Sequence, residues 1–380
     1  MSGQRENRID LLRGLSLLLI FIGHAEFTFS RTFQQSRGFS DASEIFVLLA
    51  GMSSALAYYR PDMGLQLERP WRRALRLYFT HLMLFAIMAV VSSLVLVVFQ
   101  TTVWNGAMSE FWQHPLLRGM QAISLFFMPG NLDILPMYVV LLLFAPFAFV
   151  VHDRSKILLL TICCVVWLLA GLGRINLPNA ALADRAWYFD PLSWQLIFVI
   201  GICLGIRLKR GESVLPYSRP LFIAAAVFAI VAIPANLAIH FAPMEGRIGN
   251  ILHQMVSKTN EGPLRIINVL ANLYLAWNIG WVKRAADHPS MRLLCTAGRH
   301  SLPVFATGLV LSFCVMVSMT LLPGMSLAMQ LLLLVGCCAL QLALGQWLDV
   351  RKQVASSRRP SATRIKGAIS APAAMSAKGG

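Results

Sequence analysis

Apolar residues run in long blocks along this chain, and polar residues are confined to the gaps between them. Ten blocks lie near 11–30, 42–59, 77–99, 133–151, 156–172, 192–207, 220–241, 264–282, 301–322 and 325–348. Each approaches the roughly 20 apolar residues that an α-helix needs to cross a hydrocarbon layer of about 30 Å. The pattern predicts an all-α polytopic membrane protein, a bundle of about ten transmembrane helices. Segment 115–129 is also apolar, but Pro115 and Pro129 bracket it and leave it too short to span. It reads as an interfacial or re-entrant piece. Pro234 and Gly280 fall inside blocks as candidate breaks.

Composition agrees: 57% of the 380 residues are apolar and 13% charged, against roughly half and a quarter in soluble domains. The net charge of +16 first suggests nucleic acid, but its distribution argues against that. With ten helices, one alternate set of loops and termini carries 24 Lys and Arg and the other carries 7. Positive charge accumulates on the side that is not translocated, so both termini are expected in the cytoplasm. The excess is a topology signal and an attraction to anionic membrane lipid, with no nucleic-acid partner. Residues 1–348 form one expected membrane domain. Residues 349–380, rich in Ala, Ser, Gly and basic side chains, are expected to be a disordered basic cytoplasmic tail. The arginines ahead of Leu15–Ile22 and the small residues Gly23 and Ala25 also permit a cleaved signal peptide. The apolar character resuming at Phe27 and Phe29 argues against it.

Charged side chains at bilayer depth are costly and point to function. Asp10 and Arg13 stand one turn apart on the first helix, and His24 follows Arg13 by eleven residues. That spacing is a rotation of about 20° and an axial separation of roughly 16 Å, so Arg13 and His24 share a face. Arg13 alone would be a snorkelling anchor, and His24 alone a packing residue. Together they suggest a polar track. Asp41 and Glu44 open the second helix near the His24 end; they fit a capping box, and either carboxylate there can also orient an imidazole. The cysteines show no metal-ligand spacing and read as small hydrophobes. No HExxH, nucleophile elbow or P-loop is present, and no metal is expected.

The run Arg8-Ile9-Asp10-Leu11-Leu12-Arg13-Gly14 with His24 resembles the R-x10-H signature of acyltransferase-3-like membrane acyltransferases. Four further runs follow in order: Gly38 to Val47, Leu132 to Tyr138, Phe189 to Leu196 and Gly298 to Phe305. With them the chain is similar to the OpgC family within that group, over about residues 8 to 310. The resemblance implies an enzyme of the bacterial inner membrane that succinylates osmoregulated periplasmic glucans. The donor it implies is cytoplasmic acyl-CoA, in this family succinyl-CoA. There is one departure: family members often carry Asp directly before the histidine, where this chain has Gly23.

Acyl transfer to a sugar hydroxyl needs a base, and histidine suits because it titrates near working pH. The expected catalytic residues are therefore His24 as general base, or transient acyl carrier, with Glu44 and Asp41 as its partners. Arg13, Arg69, Arg72, Arg73 and Arg299 are expected to hold coenzyme A phosphates, with His300 beside them at a cytoplasm-facing helix N-terminus. Asp133, Asp190 and Gln195 are expected to meet hydroxyls of the glucan or another envelope sugar, with Trp187, Tyr188 and Trp194 as stacking surfaces. Helix capping and an interfacial aromatic belt explain the same residues. The rival from another class is a transporter or flippase for a glycan or lipid-linked sugar, which repeat symmetry between halves would favour. No such repeat is visible.

Overall fold

In the computed structural model the described residues are 6–357, apart from 62, 102–106, 174, 182–185 and 243–244. Each of the ten apolar blocks falls mainly on one helix. These are α1 Asn7–His24, α3 Ala42–Tyr58, α4 Glu68–Phe99, α7 Ile134–Arg154, α8 Lys156–Gly171, α9 Pro191–Lys209, α10 Arg219–Phe241, α12 Pro263–Asn278, α15 Ser301–Leu321 and α16 Leu327–Ser357. Between them lie shorter helices: α2 Ser30–Gln35, α5 Ala107–Gln113, α6 Pro115–Ile123, α11 Gly246–Met255, α13 Gly280–Asp287 and α14 Arg292–Arg299. Among the described residues there is no strand, only an isolated bridge between Pro178 and Ala186. Among the described residues, six helices are long and apolar enough to cross a membrane: α4, α7 with its preceding turn, α9, α10, α15 and α16. Helix α1 carries Arg8, Asp10 and Arg13, and α3, α8 and α12 have 17, 16 and 16 residues.

Several features differ from the hydropathy reading: α1 ends at His24 rather than near 30, and the block 264–282 breaks at Ile279, beside Gly280, between α12 and α13. Helix α4 begins at Glu68, so Arg69, Arg72 and Arg73 lie on its first turns and not in a loop. Helix α10 runs unbroken through Pro234. Helix α16 continues to Ser357, past the boundary expected at 348, and residues 358–380 lie outside the described residues. Segment 115–129 holds only the short helix α6, whose Leu116, Leu117, Met120 and Ile123 are exposed. Their spacing puts them on one face, the pattern of a helix lying in an interface.

The packing separates an inner set of helices from an outer one. Leu48, Leu49 and Met52 of α3 are fully buried, as are Ile197, Phe198 and Ile202 of α9. These two helices meet backbone to backbone. A Cβ at Gly51 would overlap the Phe198 carbonyl, and one at Gly201 the Leu48 carbonyl. Small residues let membrane helices approach this closely. Helices α4, α10 and α16, by contrast, expose Val90, Leu94, Val97, Ile230, Val231, Leu332 and Val335. An apolar outer surface of that extent suits lipid and not water.

Candidate active site

Helix α1 is held over most of its length by inner helices. Near its start, Gly14 faces α14. A Cβ at Gly14 would strike the Leu294 carbonyl, and one at Gly298 the Asp10 carbonyl. This glycine contact brings Arg13 and Arg299, each next to one of those glycines, to the same cavity. The cavity measures about 330 Å³ and is walled by Phe46, Leu135, Tyr138, Phe198 and Phe305 as well as by Arg13, Arg73 and Arg299. Arg13 donates to the Leu49 carbonyl at 2.9 Å and to the Ser53 hydroxyl. Arg299 lies 3.3 Å from Asp349 and 3.9 Å from Asp10. Arg73 has no carboxylate within ion-pair distance among the described residues. The Tyr138 hydroxyl is buried with no hydrogen-bond partner among them.

At the far end of α1, His24 closes the last turn, and its buried Nδ1 has no hydrogen-bond partner among the described residues. The chain then folds back through α2 to the start of α3. Asp41 accepts from the Ser43 N–H at 2.7 Å, and Glu44 accepts from the Asp41 N–H at 2.8 Å, completing the expected capping box. The run before it is fastened to α12: Asn268 Oδ1 accepts from the Ser40 N–H at 3.0 Å and from its hydroxyl at 2.7 Å. Gly38 turns beside Asn268 at φ +91°, a conformation that only glycine adopts readily.

Both acids of the box are also ion-paired. Arg265 of α12 donates to Glu44 at 2.7 Å through Nε, and Glu44 is fully buried. Lys258 donates to Asp41 at 2.6 Å, and Gln34 donates to the same oxygen at 2.8 Å. Burial alone would raise the Asp41 pKa, but Lys258 and Arg265 overcome it and hold the carboxyl well below the usual range. Burial works against the Lys258 charge too, yet the Asp41 carboxylate leaves its pKa raised. Gln34 lies against Gly23, where an added Cβ would be 3.7 Å from its amide, so the cluster adjoins His24 through that glutamine. A second cavity of about 260 Å³ opens here, lined by Gln34, Asp41, Tyr188, His253, Lys258 and Arg265 among others.

The residues expected from sequence divide between these places. Arg13, Arg73 and Arg299 line the inner cavity; Arg69 and Arg72 are exposed outside it, and Arg72 pairs with Glu68. His300 lies 3.4 Å from Asp349, beside the cavity but not in its wall. Asp41 lines the outer cavity, whereas Glu44 is committed to Arg265. Asp133, Asp190 and Gln195 line neither. Asp133 is buried at the start of α7. Asp190 caps α9, accepting from the Leu192 N–H and the Ser193 hydroxyl at 3.0 Å each, and burial pushes its pKa up to about 6. Gln195 donates to the Cys163 carbonyl at 2.7 Å, tying α9 to α8. Trp194 donates to the Lys258 carbonyl at 3.0 Å, and Phe189 lies 5.3 Å under the Lys258 ammonium. That motif therefore positions Lys258, and of its aromatic residues Tyr188 faces the cavity.

The family model described as OpgC protein matches residues 5–353. The chain belongs to the OpgC family. As an OpgC-family protein it is an acyltransferase that modifies glucans, in general terms, and its apolar helices make it a multi-pass membrane protein. Searches of curated proteins and of solved structures returned no match. Among the described residues of this OpgC chain no group of His, Cys, Asp and Glu is arranged to hold a metal ion.

Sequence reasoning assigned no role to Lys258, Arg265, Gln34 or Tyr138. Arg265 did carry a signal, since a cation within an apolar helix requires an acid nearby. The Asp41 and Glu44 pair was the available one.

Proposed function

We propose that this chain moves an acyl group, succinyl by family resemblance, from acyl-CoA entering at the cytoplasmic face to hydroxyls of a periplasmic glucan. In this reading all ten long helices span the bacterial inner membrane and both termini are cytoplasmic. Of the shorter ones, α3 is enclosed by protein and needs no lipid-facing length. The observation that carries the proposal is the pair of cavities of opposite character, the inner one reaching α1 at Arg13 and the outer one reaching its far end through Gln34, which lies against Gly23. The inner one presents three arginines, a natural seat for coenzyme A phosphates. The outer one adjoins His24. Phe46 in one wall and Asp41 in the other are five residues apart on α3, about 7 Å by helical rise, a span that a thioester arm bridges.

His24 takes the proton of the sugar hydroxyl as its oxygen attacks the thioester carbonyl. The tetrahedral intermediate collapses, the carbon–sulfur bond breaks, and the imidazolium returns the proton to the departing thiolate. Neutral imidazole is the state this role needs. Purified wild-type and His24→Ala protein, supplied with labelled succinyl-CoA and glucan, test the assignment. Loss of transfer by at least about 100-fold with an unchanged melting profile is expected; transfer retained by the variant removes His24 as base.

A further inference from the structure

Of the residues expected to meet the acceptor, Asp190 is built into a helix cap and Gln195 into a helix contact, and Asp133 is buried outside both cavities, which leaves the acceptor without a seat. We infer that the outer cavity is that seat, holding a sugar ring of the acceptor with Tyr188 as its stacking face and Gln34, Asp41 and Lys258 as its hydroxyl partners. The inference rests on the acyltransferase reading and adds to it where the acceptor binds and what its charge is.

Three observations converge. The first is position: Gln34 contributes to the cavity wall and also packs on Gly23, the residue before His24. A hydroxyl held there is next to the proposed base. The second is charge. Of the Lys and Arg side chains that line the cavity, Lys258 is paired with Asp41 and Arg265 with Glu44, so these two already have their counter-ions; Arg37, which also feels Asp41 and Glu44, lies outside the lining. A cavity balanced in this way favours an uncharged, hydroxyl-rich ligand over a phosphate or carboxylate, which would have to break an ion pair to bind. The inner cavity, with Arg73 unmatched by an acid, has the opposite preference. The third is the mix of surfaces. Amide, carboxylate and ammonium supply acceptors and donors close together, and Tyr188, 42% exposed, supplies a flat apolar face with a polar rim. A few placed polar groups beside an aromatic surface is the usual make-up of a small-ligand site.

The arrangement also explains why Lys258 is fastened so firmly. Its carbonyl is held by Trp194, and the same loop is held again where Trp167 donates to the Glu261 carbonyl at 2.9 Å. A group that selects among hydroxyls must be fixed before the ligand arrives, because loosely held donors lose discrimination.

The test is direct binding of a neutral gluco-oligosaccharide to the full-length protein in nanodiscs, read by saturation-transfer NMR without any donor. Tyr188→Ala lies outside the ion pairs and is expected to weaken binding about tenfold or more. Lys258→Met is expected to do so as well, while the Kd for coenzyme A stays within about twofold in both. Unchanged oligosaccharide binding in Tyr188→Ala, with the same melting profile as wild type, overturns the inference. So does an equal loss of coenzyme A binding, or displacement of the oligosaccharide by coenzyme A. Wild type that binds the oligosaccharide in a Tyr188-dependent way but transfers no acyl group would leave the seat standing and remove the transferase reading.

Discussion

The inner cavity takes its walls from α1 and α3 among other helices, the outer one from the turn that leads from α2 into α3 and from the 253–265 segment, and they treat charge in opposite ways. The inner cavity brings three arginines together; Arg299 lies near Asp349 and Asp10, and Arg73 has no carboxylate within ion-pair distance among the described residues. The outer cavity pairs each of its two strong cations with a carboxylate. The difference teaches what each can select. Unbalanced guanidinium groups in a low-dielectric setting favour an anion, while closed ion pairs leave only hydrogen bonds to offer. A membrane acyltransferase that takes an anionic donor from one side and a neutral sugar from the other needs that contrast.

The contrast breaks most severely at Arg265. Arg265→Met leaves Glu44 charged, buried and without its counter-ion, a loss of about 3–5 kcal/mol, so a strongly lowered melting temperature in detergent is expected. Adding Glu44→Leu should recover most of that loss; no recovery would mean that the pair does not act as a unit. Arg73→Gln comes next. Removing one charged donor from the inner cavity should raise the KM for acyl-CoA by about 10- to 100-fold, with the acceptor KM and the melt unchanged. A rise in the acceptor KM alone would reverse the assignment of the two cavities.

A pH effect sharpens the outer half. Both carboxyl oxygens of Glu261 are buried without partners among the described residues, and burial, reinforced by Glu44, pushes its pKa well above the usual value. A raised carboxyl favours the folded state fully only below its unfolded pKa of about 4.3. That contribution is lost as pH rises through the folded value. Glu261→Gln should therefore melt higher than wild type at pH 8, with the gain shrinking towards pH 4; a gain constant across that range would contradict the burial account. The smallest effect is expected at Tyr138. Its unpartnered hydroxyl contributes nothing to the fold, so Tyr138→Phe should leave the melt unchanged or slightly raised. It should raise the acyl-CoA KM about two- to tenfold if the hydroxyl meets the donor; an unchanged KM would exclude that contact.

Much of the helical frame was legible because bilayer-length apolar runs are long-range averages that survive local irregularity. Each of the ten blocks falls mainly on one helix, and the capping box at Asp41 and Glu44 was readable from four residues. What was not legible depends on distant pairing. Lys258 and Arg265 meet Asp41 and Glu44 across more than 200 residues of chain, and one sequence cannot report such partners. The start of α4 was missed because its first turns are rich in Arg, and composition there resembles a loop. Of the arginines on those turns, Arg73 reaches the cavity while Arg69, one turn nearer the end, and Arg72, rotated by about 100°, do not. Asp190 read equally as a sugar contact or a helix cap, and Trp194 as a stacking surface or part of an aromatic belt; in the structure Asp190 caps α9 and Trp194 donates to the Lys258 carbonyl.

The central claim is that donor and acceptor reach His24 from opposite faces. Proteoliposomes of known orientation, loaded with succinyl-CoA on one side and glucan on the other, test it most directly. Acylated glucan is predicted only when the donor is on the side of Arg73 and the glucan on the side of Lys258. Equal acylation with both substrates confined to the Lys258 side would contradict the account.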